Sequence, residues 1–573
     1  MTVFFNGKMI VSPGTFSAVD DSALLNQNLT TGNVVCVIGT SVGGKPNTGL
    51  VFGNPSDAVD TLIDGELLRA VQNAFDPSNE TDGPSEVVAI RVNPAVQAAL
   101  TLKDAATNNV INLVSTDYGQ YTNQINVTIA AGSTTGLKVT TQLGNQFYTQ
   151  DNIARTPFSI QYTGGQATAS MTITDTQITI FAPNGTPIGG TPVTFAAYPT
   201  IAQLVDFLNT IPSITATVLD GNDDLTTAAA LDHVAAVDIK TAVYTVHADL
   251  QAVIDWFNGL GEPLIDATRV ANAGAPPDVL ATTFLAGGSD GVVTNTQWSN
   301  AFTALQALDV QWVNPVSSDP AIAAMADAHV QFMSTVGKKE RRAICGTALG
   351  TTDAAAIAAA KALNSDRTSL VHIGHYNYNA AGALTLYPPY LTASLIAGAF
   401  AGVSPGTPLT NKALAVRGLE RNLRDPIDTD PLLLGGVMPV ENADKGFIVT
   451  QSISTWLVNT KFDKREQSCG AAADFTARSL RSALDVLRGS KSDPNLLARA
   501  KSITQSTCKL LAVPEPNGPG VLVGDDATPA FKNIQASIVG DVLSVQVQAS
   551  IVIPNNYILI TIAAVPFSGS VSA

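Results

Sequence analysis

Val34-Val35-Cys36-Val37-Ile38 is a run of five apolar residues closed by Gly39, with no polar position to face water. A strand with one wet face alternates; an uninterrupted run is the pattern of a strand covered on both faces, as in a parallel α/β sheet. The chain continues in that style. Residues 57–75 have helical spacing, with Ala58, Leu62, Leu67, Val71 and Phe75 roughly on one face, and residues 86–92 return as strand. From about 97 to 240 the texture changes to Thr, Val, Ile, Gln and Gly. Residues 125–129 and 171–174 alternate, Gly164-Gly165 and Asn184-Gly185 are turn dipeptides, and residues 201–208 and 250–257 suit short helices. The α/β pattern then resumes: helix at 298–308, strand at 310–313, helix at 322–336, strand at 343–346, helix at 354–363, strand at 369–373. One pattern resuming after a foreign block indicates an insertion into a single domain. The predicted class is α/β multidomain: an α/β core interrupted by a β-rich insertion, plus a C-terminal α/β assembly domain with extended terminal arms.

At the C-terminal end, Leu480, Ala483, Leu484 and Leu487 share a helical face within 471–487. Asp493-Pro494 is a cap-plus-first-turn signature for a second helix. Residues 543–553 alternate as a half-buried strand, Pro554-Asn555-Asn556 breaks it, and residues 557–562 are expected as a last apolar strand. Residues 1–22 read as an extended lead-in with a turn at Pro13-Gly14.

Charge sharpens the picture. Only 14% of the 573 residues are charged, against about 25% in an average soluble protein, while 45% are hydrophobic. Such a chain has more apolar surface than charge to cover it, which favours assembly. The net charge of −16 argues against a general nucleic-acid binder. No signal peptide is apparent, and the longest lipid-like stretch, 391–403, is too short to cross a bilayer, so no membrane insertion is expected. Cys36, Cys345, Cys469 and Cys508 stand far apart and read as buried free thiols, with disulfides between subunits left open.

Two sequences imitate catalytic motifs. Gly39-Thr-Ser-Val-Gly-Gly44-Lys45-Pro46 nearly spells a phosphate loop, but proline has no hydroxyl for magnesium and biases Lys45 away from the helical conformation. His372-Ile-Gly-His375 follows a strand as in nucleotidyl transferases, yet a loop at 376–382 is expected where a helix should start. Both histidines read as hydrogen-bonded structural residues. No catalytic residue, metal ligand or cofactor is assigned.

One electrostatic feature stands out. Between Lys461 and Lys509 lie ten basic residues against five acidic ones, a net of +5 inside an acidic chain. The alternatives are a solvated helix face and a docking face for an acidic protein.

The order of motifs resembles that of contractile phage tail sheath proteins. Residues 34–53, the helix at 57–75 and the strand at 86–92 resemble the opening of that family. Asp117-Tyr118-Gly119 with Thr122-Asn123-Gln124-Ile125-Asn126-Val127 is similar to its G-x-x-x-N-x-I-x-V signature. Leu285-Ala286-Gly287-Gly288-Ser289-Asp290-Gly291 and Lys339-Glu340-Arg341-Arg342 resemble passages of the sheath core. Pro388-Pro389, Ala397-Gly398, residues 405–412, Leu419-Glu420-Arg421, Gly435-Gly436-Val437-Met438-Pro439-Val440 and Gly446-Phe447-Ile448-Val449 with Ser452-Ile453-Ser454-Thr455 look like the passage into the C-terminal domain. Met438, where the family has a small polar residue, and the 97–280 block depart from the pattern.

The resemblance implies domains at 1–22 (N-terminal arm), 23–96 with 281–410 (sheath core), 97–280 (inserted outer domain), 411–556 (C-terminal assembly domain facing the tube) and 557–573 (C-terminal arm). It implies a structural, non-enzymatic subunit without cofactor, which polymerises with itself as a sixfold helix around an inner tail tube. Baseplate and tail terminator proteins would be further partners, with no direct nucleic acid contact. Such a subunit would be assembled in the host bacterial cytoplasm and reside in the virion tail, contracting from a metastable state to drive the tube through the host envelope. Val3, Phe4, Phe5, Tyr557, Ile558, Leu559, Ile560 and Ile562 are the expected inter-subunit strand residues. Lys464, Arg465, Arg478, Arg481 and Arg488 are the tube-facing basic candidates. Two other readings stay open at this point: the sheath of a phage-like bacteriocin or injection system, and a nucleotide-binding enzyme using the loop from Gly39 to Lys45 or the His372/His375 pair.

Overall fold

The computed structural model describes residues 34–564 except 183–184 and 223–226, together with the backbone of Val3–Phe5 and Lys8–Ile10. Pro13-Gly14, Asn184, Asp223-Asp224, most of the N-terminal arm and the tail beyond residue 564 lie outside the described residues.

Val34–Gly39 occupies the middle of a six-stranded sheet. On one side lie Trp312–Pro315, Arg342–Gly346 and Thr368–Val371; on the other, Glu86–Arg91 and then Gly49–Phe52. The first five strands are parallel and Gly49–Phe52 is antiparallel to its neighbour. Helices cover both faces, as the uninterrupted apolar strands require. Glu66–Phe75 and Pro389–Gly402 lie on one face; Asn295–Leu305, Pro320–Thr335 and Asp353–Leu363 pack about the other.

The helix Pro389–Gly402 is buried over nearly its whole circumference. Trp312 and Phe400 stack with ring centroids 4.3 Å apart, and a side chain at Gly398 would collide with the carbonyl oxygen of Ala74. This is the segment 391–403 of the sequence, absorbed as a core helix. Among the described residues no helix is long and apolar enough to cross a membrane.

The helix expected at 57–75 is two helices, Pro55–Leu62 and Glu66–Phe75, broken at Ile63 (φ 64°) and Gly65 (φ 115°). The break frees two carbonyls for the neighbouring loop: Val42 N donates to Asp64 O and Gly43 N to Leu62 O, both at 2.9 Å. The loop expected at 376–382 begins instead as the strand His375–Tyr378, paired with Leu384–Tyr387 and Gly418–Leu419.

The β-rich insertion resolves into two nested units with separate apolar cores. A middle unit has a three-stranded and a four-stranded sheet and the helix Asp249–Phe257. An outer unit, from Phe158 to Val246, is carried between two elements of the middle one. Asp232 of the outer unit fastens the two, its carboxylate accepting from the amides of Asp249 (2.8 Å) and Leu250 (3.2 Å) at the start of that helix. Arg269 of the middle unit donates back to the carbonyls of Ala229 (3.4 Å) and Leu231 (3.3 Å).

Leu409 to Val449 share the core's apolar cluster, and a separate cluster starts only at Ala472. There the helices Gln467–Leu484 and Pro494–Leu511 pack with a hairpin of Phe531–Val539 and Val542–Ala549. All four cysteines are buried free thiols.

Burial pushes the Asp232 carboxyl up to about 6, with the amides of Asp249 and Leu250 opposing the shift. Its folded value lies above the unfolded one, so it favours the folded state below about pH 4 and loses that contribution as pH rises through 6. Asp232→Asn should therefore flatten the gain in stability between pH 6 and 4, a difference of about 3 kcal/mol at most, read by denaturant titrations at both pH values.

Candidate assembly surfaces

Arg91, at the end of a central strand, is fully buried. Its guanidinium donates to Gly44 O (2.9 Å), Tyr118 O (2.8 Å) and Asp290 Oδ1 (2.9 Å), where it forms an ion pair. Asn123 closes the same junction: Gly288 N donates to its Oδ1 and its Nδ2 donates to Gly288 O, each at 2.8 Å. The two passages that carry the resemblance at 117–127 and 285–291 thus meet in space, where the insertion leaves the core and rejoins it.

That junction also occupies the loop from Gly39 to Lys45. Ser41 N donates to Asn93 Oδ1 (3.1 Å) and Gly44 N to the carboxylate of Asp117 (2.9 Å). The Val42 and Gly43 amides are spent on carbonyls, as above. A phosphate cradle needs such amides free and converging on the anion; here they serve the chain's own acceptors. Lys45 is exposed.

His372 and His375 are both buried but face different partners. His372 Nε2 lies 2.9 Å from Asp353 Oδ1, with Arg421 on the same carboxylate. His375 Nδ1 lies 2.9 Å from Thr392 Oγ1. Burial lowers both, His375 to about 3, so His375 is neutral at ordinary pH. Glu420 accepts from the amides of Gly350 (2.6 Å) and Gly374 (3.0 Å). The Leu419-Glu420-Arg421 passage therefore ties the loops at the carboxyl ends of two central strands.

The basic segment divides in two. The helix Gln467–Leu484 lies across the amino ends of the central strands, and its charges are spent there. Arg478, with 7% exposure, pairs with Asp309 and faces Glu340 at 3.6 Å. Arg481 pairs with Glu340, Lys464 with Asp366 and Arg488 with Asp485. Arg465 donates to Leu433 O (3.1 Å). Asp474 runs the other way, holding Arg342 (2.9 Å) and Arg367 (2.9 Å) of the core. Arg478, one of the tube-facing candidates, is buried in the subunit and clamps this helix to acids of the core. On the next helix, Pro494–Leu511, Arg499, Lys501 and Lys509 are exposed and make no ion pair among the described residues. A count of charge along the sequence could not separate these groups, because the acids that pair with Lys464, Arg478 and Arg481 are 98, 169 and 141 residues away.

The arms show what each can offer. Val3, Phe4 and Phe5 pair antiparallel with Lys8–Ile10. Tyr557, Ile558, Leu559, Ile560 and Ile562 form no strand and are 76–94% exposed. The strand expected at 557–562 is absent because a strand exists only in a ladder, and no segment among the described residues pairs with it. Among the described residues the hairpin Phe531–Val539/Val542–Ala549 is a two-stranded sheet with both outer edges unpaired.

Removing Asp474 should strand two core arginines. Asp474→Ala is expected to cost about 3–5 kcal/mol, measured by urea unfolding; a loss below about 1 kcal/mol would show that the clamp does not hold the helix.

No family model matches the chain. It is 28% identical to the tail sheath protein of Bacillus phage SP01 over 99% of this chain and 98% of that one. It is 29% identical to a putative tail sheath protein of Enterococcus phage phiEF24C, over 84% and 85%. A solved sheath tail protein from Listeria innocua superposes with a TM-score of 0.55 at 12% identity, covering 91% of this chain and 96% of that one. Over nearly its full length the chain is thus similar in sequence to phage tail sheath proteins, and it shares its fold with a solved sheath tail protein.

Proposed function

We propose that the chain is the repeating subunit of a contractile tail sheath, polymerising as a sixfold helix around an inner tube and contracting to drive that tube through a host envelope. The observation that carries this reading is the C-terminal arm: five large apolar side chains in six residues, all exposed, in a subunit that also keeps a two-stranded sheet with open edges. Burying each would contribute about 1.5–3 kcal/mol, and a two-stranded hairpin is marginal until further strands join it. Arm and hairpin edge are not paired with each other on one chain; between copies they would be. The contact is head to tail, so it propagates into a filament instead of closing as a dimer. The N-terminal strand residues Val3, Phe4 and Phe5 would add in the same way.

The tube contact belongs to the helix Pro494–Leu511, whose outward face bears Arg499, Lys501 and Lys509 with no acid in the helix. Lys491, exposed just before this helix, extends that basic surface. The partner that fits is an acidic inner tube. Baseplate and terminator proteins would cap the two ends of the polymer, and assembly would take place in the host bacterial cytoplasm. The reading calls for no nucleotide, and the spent amides of the 39–45 loop support that. The relatives named above are phage proteins, which favours a virion over a bacteriocin-type device.

Deleting residues 557–573 should leave a folded subunit that stays monomeric in sedimentation and forms no tubes by negative-stain microscopy; tubes of normal length would overturn the arm reading. Lys501→Glu with Lys509→Glu should leave sheath self-assembly intact and weaken binding to an acidic inner tube at least about tenfold at 0.1 M salt, less at 1 M. Unchanged binding would move the contact elsewhere.

A further inference from the structure

The C-terminal arm has a defined root. Val523 N donates to Ser550 O (2.9 Å), Leu522 bridges Ile551, and Val552 N donates to Val521 O (3.0 Å). These are the last backbone ties on the body. For four more residues the chain still lies in a slot, with Val552, Pro554 and Asn556 half-buried and Ile553 and Asn555 exposed; from Tyr557 to residue 564 every residue is exposed. One wall of the slot is Gly406, where a Cβ would stand 2.6 Å from Val552 Cγ1. The other is the start of the helix Gln467–Leu484, where Cys469 Sγ reaches Val552 O at 3.4 Å and Asn556 Nδ2 donates to Glu466 Oε2 at 3.4 Å.

Resting on the arm reading above, we propose that Glu466 and Asn556 form the pivot of the C-terminal arm, with Glu466 the positioning residue that fixes where the arm leaves the subunit. Glu466 is 2% exposed and makes no ion pair among the described residues. It accepts from Ser452 Oγ (2.6 Å) and Gln451 Nε2 (3.1 Å) besides Asn556. A buried carboxylate served only by neutral donors depends on each of them. Asn556, in contrast, is held at one atom: its Oδ1 is buried without a partner among the described residues. One bond lets the amide turn about its contact, where two would fix it. The arm can therefore change direction while its root stays seated between Gly406 and Cys469. A sheath needs that combination, because neighbouring bodies rotate during contraction without parting.

Limited thermolysis of the full-length subunit tests this directly. The wild type should be cut only within residues 557–562. Asn556→Asp sets a second carboxylate against Glu466, so cleavage should spread to 551–553 about tenfold faster. Adding Glu466→Gln, which supplies a donor to the new carboxylate, should restore the wild-type pattern. Tubes of Asn556→Asp should lose helical order in their diffraction while the unfolding temperature holds. An unchanged cleavage pattern, failure of Glu466→Gln to rescue, or normal helical order would each overturn the pivot. These outcomes are separate from deletion of 557–573, which tests whether the arm joins subunits at all.

Discussion

The fully buried guanidinium of Arg91, paired with the partly exposed Asp290, is the constraint on which the architecture depends. The central strand Val34–Gly39 lies between Glu86–Arg91, which precedes the insertion, and Trp312–Pro315, which follows it. About 200 residues must therefore leave the sheet and return beside their point of departure. A single guanidinium gathers the loop after the first strand, the entry of the insertion and its exit. Removing Asp290 would leave the fully buried Arg91 guanidinium without its counter-charge, which is far more costly than an exposed pair is useful. This is also why the loop from Gly39 to Lys45, suggestive in isolation, is a structural knot: its amides are committed to the junction.

A second set of charges does the same for the C-terminal part. The helix Gln467–Leu484 is fastened across the amino ends of the central strands by Asp474, Arg478 and Arg481. The next helix keeps its cations unpaired among the described residues. The subunit thus separates one clamp that faces inward from one surface that faces outward, on adjacent helices of similar composition.

The core was legible because its signal is local. Apolar runs ended by glycine gave the central strands, and helical spacing gave the flanking helices close to their observed bounds. The insertion was legible as a change of texture. That it is two nested units was not, because both are alternating strands of the same composition and differ only in which core they share. The break at Ile63 to Gly65 escaped because its cause is a loop some twenty residues earlier in the chain. The pairing of Arg478 escaped on the same principle: Asp309 is 169 residues away. Residues 557–562 were rightly marked as apolar, but a lone subunit has no ladder for them. A sequence shows a strand's capacity to pair, not the chain that supplies its partner.

The central claim is that the C-terminal arm completes its ladder on another copy. Backbone hydrogen exchange of residues 557–562, measured on the monomer and on assembled tubes of the same protein, tests it most directly. The account predicts exchange near the unstructured rate in the monomer and protection of at least about a hundredfold in the tube, as for paired strands. Rapid exchange in both states would show that the arm does not pair between subunits, and would contradict the account.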